Sequence, residues 1–255
     1  MSKYQPVTKT DFVSLRWKRF DSYHFAGSDL VAPLVVQELP RAAMSLPIGF
    51  IRQNNQFITT ALLGLQQGQN LCVSPEGHWI APYIPAAYRS YPFALAEAEN
   101  NQLVLCVDRE SGLVAEYFDQ AFFDGEGEPS QSVKDILDFL QQVRSNRELT
   151  LRMCAALDAE GLIQPWPVKV RGKHEEVQTL DGLFRIDEEK FTALSDEAIC
   201  RVHQSGALAV VYCQLLSMQH IHALGKLAEK RIEWKPEEVD MESLFGDQGD
   251  ILKFN

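Results

Sequence analysis

Two apolar runs joined by a short polar linker constrain the fold of this 255-residue chain most strongly. The runs LPIGFI and FITTALLGL flank the linker RQNNQ between positions 46 and 65. Both runs are rich in β-branched and aromatic residues, and Asn54-Asn55 tolerates the positive φ of a tight turn. The pattern predicts a β-hairpin, and with it an antiparallel sheet in the N-terminal half of the chain.

Further strand and turn signals follow this hairpin. The stretch NLCVSPEGHWIA predicts a second hairpin that turns at 75–77, because Pro75 presets φ and Gly77 accepts a positive φ. The stretch QLVLCVD, residues 102–108, is typical of a buried strand, and residues 109–112 predict a turn into LVAEYF. The N-terminal half is therefore predicted to be an antiparallel meander.

Helical periodicity dominates the second half. Ser132 and Asp135 predict a capping box at the start of a long helix, which we expect to reach Leu157, either unbroken or with a break near Ser145-Asn146. Residues 206–230 predict another long helix, apolar nearly all round and therefore buried. Two strands, in LIQPWPVKVRG and EEVQTLDGLFRID, separate the two helices. The predicted fold class is α+β, with an antiparallel sheet-rich N-terminal half and a helix-rich C-terminal part.

The domain organisation follows from this order of elements. The acidic, Gly- and Pro-containing stretch DGEGEPSQS, residues 124–132, is a possible sub-boundary. Because strands are predicted on both sides of the first long helix, we predict a single domain over residues 1–232. Residues 233–255 are predicted to form an acidic C-terminal tail.

Charge and cysteine usage restrict the class of partner and the compartment. The net charge of −11 would repel phosphate backbones, so a nucleic-acid partner is not expected. No signal-peptide pattern and no apolar run of about 20 residues is present, so we predict a cytoplasmic protein without a transmembrane segment. Five widely spread cysteines without a C-x-x-C pair indicate free thiols in a reducing compartment. The sequence leaves the oligomeric state open.

Catalytic motifs are absent from the sequence. No G-x-S-x-G, S-x-x-K, H-E-x-x-H, G-x-G-x-x-G or phosphate-binding loop occurs, so neither a cofactor nor a metal is predicted. A metal-dependent enzyme remains an alternative hypothesis. Its residues would come from a scattered set of potential ligands: His174, Glu176, Cys200, His203, Cys213 and His220.

The stretch GHWIAPYIPAAYRSYPFAL, residues 77–95, concentrates rings and prolines around one arginine. One interpretation is a rigid aromatic wall with an anion-binding guanidinium, suited to a peptide or a small acidic ligand. The predicted binding residues are Trp79, Tyr83, Arg89, Tyr91 and Phe93. The alternative is an aromatic mini-core in which Arg89 pairs with an internal acid, so that Arg89→Ala costs about 3–5 kcal/mol of stability. We expect this second, structural outcome by a narrow margin.

The same stretch carries a resemblance to a known family. Together with YHFAGSDLVAPLVVQELPRAAMSLPIGFI and the distal DGLFRIDEEKFTALSDEAICRVHQSGALAVVYCQLLSMQHIHAL, it resembles the SapC family of bacterial proteins, from about Tyr23 to Leu227. The family name refers to paracrystalline surface layers, and relatives occur beside halogenase-like and cupin-like proteins. The resemblance carries no catalytic residue over to this chain.

Three functions follow as hypotheses. The first is a non-enzymatic accessory protein that binds a peptide or protein partner through the aromatic and arginine segment. The second is an enzyme acting on peptides or aromatic metabolites alongside an oxygenase or halogenase. The third is a surface-layer component, which the resemblance implies through the family name alone.

Overall fold

The computed structural model describes residues 4–97, 102–171 and 177–233. All strand pairings in these ranges are antiparallel. The strands are β1 Tyr4–Pro6, β2 Arg16–Trp17, β3 Val31–Pro33, β4 Ile48–Gln53, β5 Gln56–Leu62, β6 Phe93–Glu97, β7 Leu103–Asp108, β8 Val114–Ala115, β9 Gln120–Ala121, β10 Ile163–Pro165, β11 Val168–Arg171, β12 Val177–Leu180 and β13 Leu183–Ile186. The helices are α1 Lys9–Phe12, α2 Leu39–Ala42, α3 Ala86–Arg89, α4 Gln131–Ala159, α5 Glu188–Thr192, α6 Asp196–Gln204, α7 Leu208–Ser217 and α8 Ile221–Glu233. The α+β prediction is confirmed, with sheets in the N-terminal half and helices in the C-terminal part.

The central sheet has five strands in the order β10-β13-β4-β5-β3. The predicted hairpin is its middle pair, β4 and β5, and the turn residues Asn54 and Asn55 have φ values of 49° and 60°. Asparagine tolerates this left-handed conformation better than β-branched residues do, which explains the turn at this point. A chain segment from the C-terminal half, β13, pairs with β4, so the two halves share one sheet.

The described residues also form three smaller sheets. They have the orders β1-β7-β6, β8-β2-β9 and β11-β12. The predicted strand 102–108 is present as β7, and the predicted turn after it contains Gly112 with a φ of 70°. The second predicted hairpin is reduced to a single bridge between Val73 and Trp79 around a tight turn.

The longest helix, α4, joins two hydrophobic clusters. Its first half carries Val133, which lies in a cluster with Phe12, Trp17, Phe93 and Phe122. Its second half contributes Met153, Cys154 and Leu157 to the main core under the central sheet. Residues on both sides of the 124–132 stretch therefore share a core, while the division into domains stays a prediction.

One detail of the α4 prediction is wrong. The N-cap is Ser130, whose hydroxyl accepts a hydrogen bond from the Val133 N–H, two residues before the predicted Ser132. Ser130 is favoured because its hydroxyl also donates to the Ala121 carbonyl. Of the two possibilities left open at 145–146, the helix is unbroken: α4 is continuous through these residues, and the Asn146 side-chain amide donates to the Gln142 carbonyl within it.

The predicted helix over residues 206–230 is divided. A 3₁₀ turn, Met218–His220, separates α7 from α8. The expectation that this region is buried all round is also wrong, since Tyr212 and Leu216 are 54% and 65% exposed. The fully buried face of α7 instead carries Gln214 and Ser217 beside Val210 and Val211.

Gln214 and Ser217 are buried because they satisfy backbone groups of the central sheet. The Gln214 side chain accepts from the Ile186 N–H and donates to the Ile48 carbonyl, and the Ser217 hydroxyl accepts from the Ile48 N–H. The β4–β13 pairing extends only as far as Phe50 and Phe184, so Gln214 bridges the two strands where the pairing ends. Buried backbone groups need such partners, and α7 is therefore fixed to the sheet by polar contacts.

No helix in the described ranges is both long and apolar enough to cross a membrane by itself. Two consecutive helical stretches, Asp196–Gln204 and Leu208–Arg231, are together long and apolar enough for a membrane span, but they are bent by 93° relative to each other.

Candidate functional site

The aromatic segment begins at a tight turn held against the N-terminal part of the chain. Gly77 has a φ of 87°, and its carbonyl accepts a hydrogen bond from the Tyr23 N–H. A Cβ at this position would lie 2.0 Å from the Ser22 hydroxyl oxygen. Only glycine combines this conformation with so close an approach, so Gly77 fixes the direction in which the segment leaves the turn.

Six rings form one cluster, which we call the aromatic cluster. Three of them come from the segment and three from the chain around residues 20–25. They are Phe20, Tyr23, Phe25, Trp79, Tyr88 and Tyr91. The closest pair is Phe25 and Tyr91, stacked with centroids 3.9 Å apart, and most other pairs meet edge-on or tilted. Such contacts add about 0.5–1.5 kcal/mol each to the burial of the rings, so the segment is docked by its own rings.

Three tyrosine hydroxyls of the segment each donate to a carboxylate from another part of the fold. Tyr83 donates to Glu38 over 2.8 Å, Tyr88 to Asp29 over 2.9 Å and Tyr91 to Asp108 over 3.1 Å. The acceptors are three acids far from the tyrosines in sequence. Burial, and secondly the neighbouring carboxylate, raise the pKa of each tyrosine above its ordinary value.

Glu38 is the most heavily used of these acids. It is 6% exposed and lies at the end of a 3₁₀ turn, Val36–Glu38. One carboxylate oxygen accepts from the Val35 N–H, and the other accepts from the Ala86 N–H and the Tyr83 hydroxyl, each over 2.8 Å. Three donors satisfy the buried charge, so Glu38 holds the start of α3 in place.

Arg89, at the end of α3, closes this network from the solvent side. Its Nε and Nη2 donate to the Ile84 carbonyl, and Nη2 also donates to the Tyr83 hydroxyl. Its guanidinium lies over the Tyr83 ring at 5.2 Å, and Nη2 is 3.9 Å from Glu38. The side chain is 40% exposed, and Nη1 has no acceptor among the described residues. Arg89 therefore has an internal acid, as the structural interpretation requires, and also one free edge.

We call three exposed residues of the segment the Arg89 rim: Ile80, Pro82 and Arg89. Ile80 is 49% exposed and Pro82 is exposed as well. Trp79 is bonded to the same stretch of chain, because its indole N–H donates to the Tyr83 carbonyl over 2.9 Å. The rim therefore presents apolar surface and one oriented cation along the same ten residues of chain.

The five predicted binding residues do not all meet. Trp79, Tyr83 and Arg89 are joined by direct contacts. Tyr91 lies across the aromatic cluster, stacked on Phe25. Phe93 is 3% exposed and packs edge-on against Trp17 in the second hydrophobic cluster.

Sequence reasoning did not identify the three carboxylates or the rings of residues 20–25. Glu38 had one available signal, since it is the single acid in the apolar run VAPLVVQELP. Charged residues inside such runs are seldom buried without partners, so Glu38 marked a paired position. Asp29 and Asp108 carried no comparable signal, because each follows an ordinary turn or strand pattern.

A known protein family matches the part of the chain that contains the aromatic segment and its carboxylates. The profile of the family described as SapC matches residues 7–224, which is most of the chain and includes the aromatic segment, Glu38 and Arg89. The chain belongs to the SapC family. No curated protein matches this SapC-family chain significantly. No solved structure matches it significantly either.

A separate cavity of about 420 Å³ lies on the surface of the SapC-family protein beside β3 and β4. Its lining includes Asp29, Gln67 and Asp181. Asp29 also accepts the Tyr88 hydrogen bond, so the cavity and the aromatic cluster share this carboxylate. None of the five predicted binding residues is in its lining.

The residues of the metal-dependent alternative are dispersed. His174 and Glu176 lie outside the described residues. Cys200 and His203 are exposed on α6, and the His220 ring nitrogen Nε2 is 3.0 Å from the Ala43 carbonyl oxygen. Within the ranges that the structure describes, no three histidine, cysteine or acidic side chains form a group suited to a metal ion.

Proposed function

We propose that this SapC-family protein is a non-enzymatic accessory protein that binds a peptide or protein partner through the Arg89 rim. The observation that supports this proposal is the free edge of Arg89. Its other nitrogens are fixed by Ile84 and Tyr83, while Nη1 has no acceptor in the described part of the chain. An oriented guanidinium binds a carboxylate with little loss of side-chain entropy, because its geometry is set before the partner arrives.

The composition of the Arg89 rim guides the proposed chemistry of the partner. Ile80 and Pro82 offer apolar surface, and Arg89 offers one charged donor. A peptide segment with a carboxylate next to an apolar side chain matches both features. We therefore propose an acidic-apolar peptide segment as the ligand.

The predicted residues take different parts in this proposal. Arg89 contacts the partner, and Trp79 and Tyr83 position it through their hydrogen bonds. Tyr91 and the buried Phe93 hold the far side of the segment. Glu38 acts beneath them as the anchor of Tyr83 and of the first residue of α3.

The test is a binding assay with matched variants. Partners captured from the native host by the wild-type protein are purified, and their affinity is measured for Arg89→Ala and Ile80→Ala. Arg52→Ala is the matched control, because Arg52 also lies over a ring, that of Phe57, at 5.5 Å but on the hairpin. We expect a loss of at least about tenfold for Arg89→Ala, equivalent to about 1.4 kcal/mol, and no change for Arg52→Ala. Equal losses in both variants, or none in Arg89→Ala, would contradict the proposal.

We also propose that the protein resides in the cytoplasm. The support comes from the cysteines: all five are free thiols, and Cys72, Cys106 and Cys154 are buried. Free thiols persist in a reducing compartment. Fractionation of the native host tests this, and recovery of the protein only with the cell surface would contradict it.

A further inference from the structure

The surface cavity of about 420 Å³, which we call the Asp29 cavity, combines apolar and acidic lining residues. Its apolar lining comes from the central sheet and the residue before β3: Leu30, Val31, Ile51 and Leu183. Leu183 and Ile51 are register partners on β13 and β4, and Leu183 is 3% exposed. All four belong to, or pack against, a hydrophobic cluster that contains the buried Leu62. The apolar part of the cavity is therefore held in place by the sheet and by core packing.

Both acids in the lining have carboxylate oxygens available to a ligand. Asp29 accepts from the Tyr88 hydroxyl through Oδ2, and its Oδ1 has no hydrogen-bond partner in the part of the chain that the structure describes. Asp181 is exposed between β12 and β13, and within the described ranges its side chain has neither a hydrogen bond nor an ion pair. Ser28 and Gln67 add polar side chains, and no lysine or arginine is among the described lining residues. Two carboxylates thus line the cavity without a basic residue beside them there.

This combination favours an organic cation over an anion or a metal ion. Carboxylates repel an anionic ligand, and the net charge of −11 attracts cations to the protein as a whole. A metal ion such as Ca²⁺ takes about six to eight oxygen ligands, whereas the described ranges contain no group of three histidine, cysteine or acidic side chains that could hold one. An alkylammonium matches both parts of the lining, because its methylene stem covers apolar surface while its ammonium donates to carboxylates. The cavity volume also lies within the range of about 300–1,000 Å³ that is usual for small-ligand sites.

We propose that the Asp29 cavity binds a primary alkylammonium group, carried either by a free amine or by a lysine side chain. The methylene stem packs on Ile51 and Leu183. The ammonium donates to Oδ1 of Asp29 and to the Asp181 carboxylate, two acceptors that the fold brings to one cavity from distant parts of the sequence. This site is additional to the proposed function, since it shares no residue with the Arg89 rim.

A titration with n-butylamine, which has the chain length of a lysine side chain, tests this proposal. Backbone amide shifts of the full-length, ¹⁵N-labelled protein are followed by NMR at neutral pH and constant ionic strength. We expect saturable shifts at residues 28–31 and 181–183, with an affinity in the millimolar range because one of the two acids is exposed. Butanol, which has the same stem without the charge, should bind at least about tenfold more weakly, and butyrate should cause no saturable shift.

Two conservative substitutions connect this binding to the acids of the cavity. Asp29→Asn keeps a side-chain oxygen that accepts from Tyr88, and Asp181→Asn changes an exposed residue between two strands, so both variants should stay folded. Each should weaken the binding of n-butylamine about three- to fivefold. Asp158→Asn, which removes one exposed acid from α4, is the control for net charge and should leave the affinity unchanged.

Lysine blocked at its α-amine and its carboxyl group distinguishes the two sources of the ammonium. Binding at least as tight as that of n-butylamine supports the site with a lysine side chain of a peptide or protein as its ligand, and weaker binding supports it with a free amine. The proposal would be overturned by the absence of saturable shifts with n-butylamine or by equal affinities for n-butylamine and butanol. Equal affinities for n-butylamine in Asp158→Asn and in both cavity variants would overturn it as well.

Discussion

Tyr83 and Glu38, 45 residues apart in sequence, meet at 2.8 Å and connect the aromatic segment to the main core. The Tyr83 hydroxyl donates to the carboxylate while it accepts from Arg89. This relay means that the exposed guanidinium and the buried acid are linked through one phenol. The segment is therefore ordered from within by Glu38, and Arg89 retains a free edge at the surface.

Loss of the Glu38 carboxylate should destabilise the protein strongly. Glu38→Ala leaves the Val35 N–H, the Ala86 N–H and the Tyr83 hydroxyl without their acceptor. Unsatisfied buried donors cost about 1–3 kcal/mol each before the structure relaxes, so we expect a loss of about 3–5 kcal/mol in urea unfolding. The neighbouring exposed Gln37→Ala is the control and should change stability by less than about 0.5 kcal/mol. A Glu38→Ala protein as stable as this control would show that Glu38 is no anchor.

The tyrosine hydrogen bonds predict a loss of stability at high pH. The folded-state pKa values of Tyr83, Tyr88 and Tyr91 are raised by burial and by their carboxylate partners. The unfolded chain releases these protons near pH 10, whereas the folded chain retains them, so the stabilisation is fully present below about pH 10 and is lost as the pH rises above it. Urea unfolding midpoints between pH 8 and 11.5 should therefore fall at the upper end.

Tyr88→Phe isolates one of these contributions. It removes the hydroxyl that donates to Asp29. The fall of the urea unfolding midpoint above about pH 10 should therefore be shallower than in the wild-type protein. Tyr212→Phe is the matched control, because Tyr212 is 54% exposed. Identical slopes in the wild-type protein and Tyr88→Phe would contradict the assignment.

The cysteines should differ sharply in reactivity. Burial raises the pKa of Cys72 and of Cys154 to about 12, while Cys200 is exposed. Because the thiolate is the reactive form, a disulfide reagent at pH 8 should modify Cys200 first and leave Cys72 and Cys154 unmodified in the folded protein. Peptide mapping after timed quenching identifies the order, and Cys200→Ser is the control that removes the rapid phase. Rapid labelling of Cys154 would show that the core under α4 is open.

Helix α7 buries the polar Gln214 and exposes the apolar Leu216, so substitutions at these two positions should have opposite effects to those expected from hydrophobicity. Gln214→Leu leaves the Ile186 N–H and the Ile48 carbonyl without partners, so we expect a loss of about 2–4 kcal/mol although the substitution adds an apolar residue. Leu216→Gln, on the 65% exposed face, should change stability by less than about 0.5 kcal/mol. Thermal or urea unfolding of the two variants checks this, and equal effects would contradict the polar attachment of α7.

Local sequence patterns predict some elements of this fold and miss others. The Asn54-Asn55 turn and the strand ending at Asp108 were predictable because turn chemistry and alternation are local. The burial of Gln214 was not, because it depends on where the β4–β13 pairing ends. The N-cap shifted to Ser130 for a similar reason, since its hydroxyl has a distant acceptor, the Ala121 carbonyl.

The candidate site also has features that the local sequence predicts and features that depend on the tertiary fold. The concentration of rings around Arg89 was visible in the sequence, and so was the need for an internal acid. The identity of that acid was not, because Glu38 reaches Tyr83 only through the tertiary fold. The expected cost of about 3–5 kcal/mol for Arg89→Ala assumed a buried pair, whereas Arg89 is 40% exposed and Glu38 has three other donors. The structure therefore lowers the expected cost to about 1 kcal/mol.

The most direct test of the separation between anchor and binding edge is Arg89→Ala, measured for stability and for partner affinity in one preparation. We expect the unfolding free energy to fall by about 1 kcal/mol, because Glu38 keeps its other donors, while partner affinity falls at least about tenfold. Arg89→Lys should restore stability more fully than affinity, since its single ammonium lacks the planar guanidinium edge. A folded Arg89→Ala protein that binds its partner as tightly as the wild type does would contradict the proposed role of the Arg89 rim.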